Sequence, residues 1–220
     1  AISSHPLAPR VFSSTPRGLL AHLSRRQLEL MVFALQKDVA YLPEDTDGEG
    51  LWKGFEETDG KQIERITSVF VDDAEEYRLT IADLRISSGA LFTLETHDCT
   101  YLRIDLGNVT LPRFRLAMET SMDKRVERMG GQDIDFEGFP NFSHHFLLQG
   151  QDEQAIRQFF TAEILHLHED NPHIYGECIG DALLFRKGYG LAHEHDIEGF
   201  MSFGRSFCAL ALEKKTVISL

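Results

Sequence analysis

The feature that most constrains the fold is a period of two in hydrophobicity between residues 63 and 116. Apolar and polar residues alternate there in five short runs, separated by the segments DDAEE, SSG, THDC and GNVTLP. Alternation of this kind is typical of strands with one buried face, and short breaks favour antiparallel neighbours. The chain is therefore predicted to form an antiparallel meander whose core includes Tyr77, Leu79, Ile81, Tyr101 and Ile104.

A helix is predicted before this meander, from about Arg25 to Tyr41. Ser24 and Gln27 have the spacing of a capping box, in which each side chain bonds the backbone N–H of the other. Apolar residues then recur at intervals of three and four, so we expect one face of the helix to pack on the sheet. That face consists of Leu28, Met31, Val32, Leu35 and Val39. Trp52 and Phe55, further along, are predicted at the edge of the same core.

The last third of the chain predicts two strands, a helix, a hairpin and a second helix. The strands are DIDF, from Asp133 to Phe136, and His144 to Gln149. A helix opened by DEQAIR has the buried stripe Ile156, Phe159, Phe160, Ile164 and Leu167, and Asn171-Pro172 stops it. A hairpin then turns at Gly180-Asp181, and a final helix capped by Asp196 ends near Glu213.

These elements predict an α+β fold, in which three main helices pack on an antiparallel sheet built from a meander and hairpins. The mixture of Pro, Ser and Arg at the start of the chain is typical of a flexible leader over 1–22. Residues 23–220 are predicted to form a single α+β domain, with a possible subdivision near 108–130. At 220 residues and 42% hydrophobic content, the chain can bury a substantial core.

Charge excludes some classes of partner. The chain carries 22 basic and 35 acidic side chains, a formal charge of −13. Such a field repels the phosphates of nucleic acids and anionic lipid surfaces, so we expect no nucleic-acid partner. No stretch approaches the roughly 20 apolar residues that span a bilayer, so we expect no direct membrane insertion by this segment. Three widely spaced cysteines favour a reducing compartment, which indicates a cytoplasmic location.

Histidines offer the main sign of possible chemistry, because seven of the ten lie at or after position 144. His166 and His168 are predicted on a helix, where successive residues turn by about 100°, so this pair points in opposite directions and both side chains should be half-exposed. His193 and His195 precede the last helix, where an extended backbone would turn both to one side. If the chain binds a metal, these two are expected to lead, with Asp196 as a possible third ligand.

Asp133 and Asp135 form a second candidate pair, since a strand would send both carboxylates to one face, where they could hold a divalent ion or act as acid and base. The alternative interpretation is the polar side of a half-buried strand. The sequence contains no P-loop, no GxSxG and no GxGxxG motif. No catalytic residue is assigned, and no cofactor is expected.

Four motifs carry a resemblance to a family of bacterial proteins of uncharacterised function. They are LPRFRL from Leu111, QDIDF from Gln132, PNFS from Pro140 and GQDE from Gly150. In that family, a membrane-spanning N-terminal part commonly precedes a soluble domain with the order LPxFxL, QDIDF, PxFS and GxDE. The chain departs from the pattern at Ala117, where the family tends to have Pro, and at His144-His145. The resemblance implies a possible membrane tether upstream of Ala1, and a location as the soluble part of an inner-membrane protein.

The expected function is that of a non-catalytic interaction or scaffolding module of a bacterial membrane-associated protein, with a protein partner that the sequence does not identify. One alternative is a metal-dependent hydrolase that uses the histidines and carboxylates of the C-terminal half. A second alternative is a small-ligand sensor with a closed apolar cavity between the sheet and the last helix.

Overall fold

The computed structural model describes residues 22–89, 95–118 and 133–218, which form eight strands, five α-helices and a 3-10 helix. In chain order the α-helices are α1 (Arg25–Lys37), α2 (Pro140–His145), α3 (Glu153–Phe159), α4 (Ala162–Glu169) and α5 (Glu194–Ile218). The strands are β1 (Ala40–Glu44), β2 (Gln62–Asp73), β3 (Arg78–Ser88), β4 (Glu95–Asp105), β5 (Phe114–Met118), β6 (Phe146–Gln149), β7 (Ile174–Cys178) and β8 (Ala182–Lys187). The 3-10 helix is Gly48–Trp52.

All eight strands belong to one sheet, in the order β1-β2-β3-β4-β8-β7-β5-β6, and every neighbouring pair is antiparallel. The predicted α+β class and antiparallel sheet are therefore confirmed. The hairpin of β7 and β8 forms as predicted around Gly180, and it inserts between β4 and β5. This insertion joins the meander to the C-terminal strands by continuous pairing.

The meander differs from its prediction at the segment THDC, which is not a break. These four residues lie inside β4, where His97 pairs with Ile86 and Asp98 pairs with Arg85. Asp98 accepts two hydrogen bonds of 2.8 Å from the Arg85 guanidinium, so the polar residues continue the strand through cross-strand ion pairing. Residues 90–94 of the predicted run ALFTLET lie outside the described residues.

Both faces of the central strands are buried, so the prediction of one buried face was wrong. Leu79, Ile81 and Ile104 face the helices, as predicted. Tyr101 faces the other way, into a second core that contains Trp52 and Phe55. The 3-10 helix and the turn after it carry these two side chains across the second face of the sheet, so they lie within this core instead of at the edge of the one beneath α1.

Helix α1 begins as predicted but buries a different face. Ser24 Oγ accepts a hydrogen bond from Gln27 N–H, and Gln27 Oε1 accepts one from Ser24 N–H, which completes the capping box. The helix ends at Lys37, four residues early, because Asp38 is left-handed at φ 53° and the chain enters β1. Its buried residues are Gln27, Leu30, Phe33 and Ala34.

The predicted helix of the last third is broken into α3 and α4. The chain is extended at Thr161, with φ −70° and ψ 170°, and α4 starts again at a new angle. Asp152 caps α3 by accepting a hydrogen bond from Ala155 N–H, as its acidic first turn predicts. The final helix starts at Glu194, so Asp196 lies in its first turn and is not the N-cap residue.

Two predicted strands were also placed wrongly. Residues 133–136 are not part of a strand. Asp133 Oδ1 accepts the hydrogen bond from Leu148 N–H, while Ile134 N–H donates to Leu148 O, so a carboxylate takes the place of a ladder carbonyl at the outer edge of β6. His144 and His145 end α2, and the strand begins after them. Within the described ranges, no helix combines the length and the apolar character needed to cross a membrane.

Candidate functional site

The predicted histidine pair lies where the connection from β8 meets α5: His193 precedes the helix, whereas His195 is in its first turn, and both side chains are exposed. The rings of His193 and His195 are stacked in parallel, with centroids 6.0 Å apart and an interplanar angle of 3°. His195 Nε2 lies 3.5 Å from Asp196 Oδ2. Parallel stacking does not direct two ring nitrogens at one ion, because lone pairs lie in the plane of each ring. Among the described residues, no group of three or more His, Cys, Asp or Glu side chains is arranged to hold a metal ion.

Asp196 has a structural partner. Its Oδ1 accepts a hydrogen bond of 3.1 Å from Lys187 Nζ, which joins the start of α5 to the end of β8. Burial acts to raise the pKa of Asp196, but hydrogen bonds from Lys187 and the backbone of His193, with the charges of Lys187 and His195, outweigh it and leave the pKa lowered. The carboxylate therefore stabilises the first turn of α5 in its charged form.

Two shallow hollows flank this segment, and both are open to solvent. One, of about 330 Å³, is lined by Lys187, Tyr189, Leu191 and Phe200, among others. The other, of about 420 Å³, lies between α1 and α5 and is lined by Arg26, Glu29, Leu30, His193, Glu194 and His195. Neither is a closed apolar cavity of the kind that a small-ligand sensor needs.

The structure places Asp133 and Asp135 in different roles. Asp133 accepts the backbone hydrogen bond at the edge of β6, whereas the side chain of Asp135 is exposed and its carbonyl accepts a hydrogen bond of 2.5 Å from the Arg157 guanidinium. Arg157 also donates to Glu153 and lies 5.4 Å from the centre of the Phe136 ring. In this arrangement both acidic residues fasten the segment 133–136 to the body of the protein.

His166 and His168 lie on opposite sides of α4, as the helical rotation predicts, but their exposure was predicted wrongly. The side chain of His166 is 65% exposed, and its Nδ1 lies 3.0 Å from Glu169 Oε2. His168 is fully buried. The break between α3 and α4 explains the difference, because it rotates the apolar stripe of α4 onto Ile164, Leu165 and His168 and leaves Leu167 only partly buried.

The imidazole of His168 is enclosed by phenylalanine rings, and neither of its nitrogens has a hydrogen-bond partner. Ring centroids lie 5.6–6.5 Å away, from α2, β6, the α3–α4 break, β8 and α5; the six residues are Phe142, Phe146, Phe160, Phe185, Phe203 and Phe207. Burial lowers the pKa of His168 to about 3. The histidine is therefore neutral near pH 7, and it forms part of the core.

Sequence reasoning missed a polar network on the second face of the sheet. Arg186 is stacked between Tyr175 and Tyr189, with its guanidinium carbon 4.6 Å and 4.1 Å from the two ring centres. It donates to Glu57 Oε1 at 3.2 Å, and Tyr101 donates to the same oxygen at 3.3 Å. Burial raises the pKa of both Tyr101 and Tyr175, so both hydroxyls remain protonated donors.

Glu177 extends this network to the loop that carries Phe55. Its carboxylate accepts hydrogen bonds from the backbone N–H groups of Glu56 at 2.6 Å and Glu57 at 3.2 Å, and Tyr175 donates to it. The network thus holds the loop of residues 53–60 on the sheet. Its members alternate with apolar residues on β7 and β8, and this pattern could have placed them on one face, although it could not name their partners.

Helix α1 is fastened to the other face by a buried carboxylate. Asp83 is 5% exposed and receives two hydrogen bonds from the Arg26 guanidinium, at 2.9 and 3.1 Å, and one of 2.5 Å from Thr100. The Thr100 hydroxyl also accepts a hydrogen bond from Ala192 N–H. These contacts join α1, the sheet and the segment that carries His193 into one rigid assembly.

The outward face of α1 is apolar. Leu28 and Met31 are partly exposed, Val32 is 50% exposed and Leu35 is 75% exposed. None of the first four residues of the predicted buried stripe is buried, so the prediction for this face was wrong. We call these four residues the outer stripe of α1.

Comparisons with known proteins bear on the fold. No protein-family model matches the chain, and no curated protein matches it significantly. Among solved structures, the chain is similar to the mycobacterial trehalose monomycolate transport factor A, TtfA, with a TM-score of 0.57 and 12% sequence identity. The similarity covers 89% of this chain and 95% of that chain. At this identity the likeness shows a shared fold, which extends over almost the whole of both chains.

Proposed function

We propose that this chain is a non-catalytic accessory domain of a membrane-associated system and acts by binding another protein. The observation that carries the proposal is the fold shared with a transport factor along nearly the full length of both chains. That protein is named for a part in transport, and an accessory part in such a process needs a stable binding surface and no catalytic group.

The positions of the candidate chemical groups support a non-catalytic role. Asp133, Asp196 and Glu177 each accept hydrogen bonds that hold backbone or side chains of the fold in place. His168 is buried away from any substrate. The three carboxylates are therefore accounted for by contacts within the fold.

Residues of three of the four motifs have mechanical roles, which supports an architectural basis for the family resemblance. Ser143 Oγ accepts a hydrogen bond from Phe136 N–H at 2.9 Å, Asp152 caps α3, and Arg157 bridges Glu153 and the Asp135 carbonyl. The motifs therefore specify how the segment 133–160 packs together. We infer that the chain shares with that family a soluble domain on the cytoplasmic side of an inner membrane, tethered by a segment before Ala1.

The test is photo-crosslinking in cells that express the full-length gene product. A photoreactive phenylalanine derivative replaces Leu35 on α1, Leu51 on the second face or Leu191 beside α5, three side chains that are at least 40% exposed. We expect a discrete adduct with one protein of the membrane fraction from at least one of these positions, and not from all three.

A catalytic screen provides the opposing result. The purified chain is assayed for hydrolysis of phosphoesters, esters and peptides with zinc or manganese present. Turnover that is lost in His193→Ala or Asp133→Ala, and retained in the exposed control His166→Ala, would overturn the proposal in favour of a metal-dependent hydrolase.

A further inference from the structure

The outer stripe of α1 is a second apolar face on a helix that already has one. Its members follow one another at positions i, i+3, i+4 and i+7, so they form a single ridge along two turns of helix. None of the four belongs to either core, or to the partly buried side chains packed against them. The face that α1 turns to the sheet is a separate set, which includes Leu30, Phe33 and Ala34.

An exposed ridge of this kind differs from ordinary surface hydrophobicity. Single apolar side chains on a surface are normal, whereas the largest contiguous apolar patch of a monomer is often functional. Solvent-facing positions of a helix usually carry polar or charged residues. The exposed polar residues of α1 are Arg25, Glu29, Gln36 and Lys37, whereas the ridge has none.

We propose that the outer stripe of α1 docks a short amphipathic helix of a different protein, whose apolar face is flanked by Lys and Arg. This inference rests on the proposed function, because it gives the accessory domain a binding surface and its partner a chemistry. Positions i, i+3 and i+7 have the spacing of the a, d and next a positions of a two-helix seam, and i+4 is the flanking e position. A partner helix would therefore pack alongside α1 at about 8–10 Å between axes.

The size of the surface favours a single helix over a second copy of the chain. Four side chains along two turns span about 10 Å and present a few hundred Å² at most. A stable dimer needs about 800 Å² from each partner. The outer stripe alone is therefore too small for a stable homodimer, and its size suits a weak or transient contact with one helix.

The charge of the chain predicts a partner helix with basic residues. The cations of α1 are each held in an ion pair within the chain, Arg25 with Glu29, Arg26 with Asp83, and Lys37 with Glu198. With these cations paired, the formal charge of −13 on the chain repels a second copy and an anionic membrane surface. A helix with basic flanks is attracted by the same field.

The experiment uses the whole chain, labelled with ¹⁵N, and two designed peptides as probes. Both are two-heptad helices with Leu at the a and d positions, one with Lys and the other with Glu at the remaining positions. We expect the Leu/Lys peptide to shift the amide signals of α1, and the Leu/Glu peptide to bind at least tenfold more weakly. A Leu/Lys peptide of scrambled order, which has no apolar face, should also bind at least tenfold more weakly.

Substitutions on the ridge separate apolar docking from simple charge attraction. Val32→Asp and Leu35→Asp should each weaken binding of the Leu/Lys peptide at least tenfold. Leu51→Asp is the matched control, because Leu51 is 43% exposed on the other face of the sheet, and it should leave the affinity unchanged within twofold. Circular dichroism of all three variants verifies that the fold is intact, which is expected because these side chains are outside both cores.

Other occupants give distinct results that would overturn the inference. Self-association that Leu35→Asp abolishes, measured by analytical ultracentrifugation, would assign the stripe to a second copy. Binding to phosphatidylglycerol vesicles that the same variant abolishes would assign it to a membrane. An intramolecular crosslink from position 35 to residues 1–21 would assign it to the start of this chain, and peptide binding unaffected by both variants would place the site elsewhere.

This inference and the proposed function can fail independently. A membrane-fraction adduct from position 191 but not from position 35 would leave the accessory role standing and remove the outer stripe as its docking surface. Catalytic turnover that depends on His193 would contradict the accessory role, independently of the result of the peptide-binding experiment.

Discussion

At the scale of single residues, His168 combines full burial with two ring nitrogens that have no hydrogen-bond partner. Burial of an imidazole without a hydrogen bond to either nitrogen costs about 1–3 kcal/mol relative to a partnered group. The surrounding rings offset part of this cost by dispersion and edge-to-face contacts. A leucine at this position would have no polar atom to desolvate.

The pH dependence of stability should report His168 directly. Because its pKa in the folded state is lowered to about 3, the unfolded chain, with an ordinary pKa of about 6.5, takes up the proton first as the pH falls. The contribution of neutral His168 to the free energy of unfolding is therefore complete above about pH 6.5 and is lost progressively as the pH falls towards 3. Because each pH unit below about 6.5 lowers the free energy of unfolding by about 1.4 kcal/mol, the loss at pH 4.5 should approach about 2.7 kcal/mol.

The measurement is urea unfolding at pH 7.5, 6.5, 5.5 and 4.5 for the natural chain and for His168→Leu. The variant should lack this component of the pH dependence and be the more stable of the two at pH 4.5. His166→Leu is the matched control, since that side chain is 65% exposed, and it should retain the slope of the natural chain. Equal slopes for the natural chain and His168→Leu would show that His168 is not buried in the folded state.

At the scale of elements, helix boundaries decide which residues face the core. The break at Thr161 separates α3 from α4 and turns His168 inward, while Asp38 ends α1 and allows β1 to pair with β2. Each break follows a residue whose backbone leaves the helical region, and the hydrophobic period on either side continues almost unchanged. Periodicity alone therefore predicts one long helix where the protein forms two elements.

Substitution of Gly150 tests how closely the chain packs at the junction between β6 and α3. A Cβ at this position would lie 2.6 Å from the Arg113 carbonyl oxygen and 2.3 Å from Ile156 Cδ1, so Gly150→Ala would force backbone apart between β6 and the segment before β5. We expect it to lower the free energy of unfolding by at least about 2 kcal/mol, in the range known for overpacking.

Gly199 provides the control within the same chain. It lies on α5, and nothing is within 4 Å of the Cβ it would acquire. Gly199→Ala should raise the free energy of unfolding by about 0.5–1 kcal/mol, since alanine has the higher helix propensity. Chemical denaturation followed by circular dichroism measures both variants, and a neutral Gly150→Ala would contradict the close approach of Arg113.

At the scale of the whole molecule, one sheet supports two cores. The strands β3, β4 and β8 contribute alternate side chains to the helical face and to the second face, so each core depends on the same backbone pairing. The second face is closed by the loop of residues 53–60, which the network of Arg186, Glu57 and Glu177 holds in place. The two cores should therefore unfold together.

Trp52, the single tryptophan, reports the second core, whereas far-UV circular dichroism reports the helices of the first. We expect the two signals to follow the same urea transition, with midpoints that agree within error. Such coincidence would also test the prediction of a single domain over residues 23–220. Separate midpoints would show that the 3-10 helix with Trp52 detaches while the helical face remains folded.

The sequence by itself determined the elements that local chemistry specifies. Ser24 and Gln27 identified the start of α1, Asp152 identified the start of α3, and Gly180-Asp181 identified the β7–β8 turn, because caps and turns depend on side chains only a few residues apart. Alternation identified the antiparallel strands and therefore the α+β class. The divergence of His166 and His168 also followed from helix geometry alone.

Only the tertiary structure decided which apolar face each element buries and which polar side chains meet. Two apolar stripes on α1 satisfied the same helical period, and packing on the sheet selected the one with Leu30 and Phe33. Asp83 with Arg26 and Glu57 with Arg186 are 57 and 129 residues apart in sequence. Their pairing depends on strand order, which local residue patterns do not specify, because burial is a property of the assembled layers and periodicity is a property of each element alone.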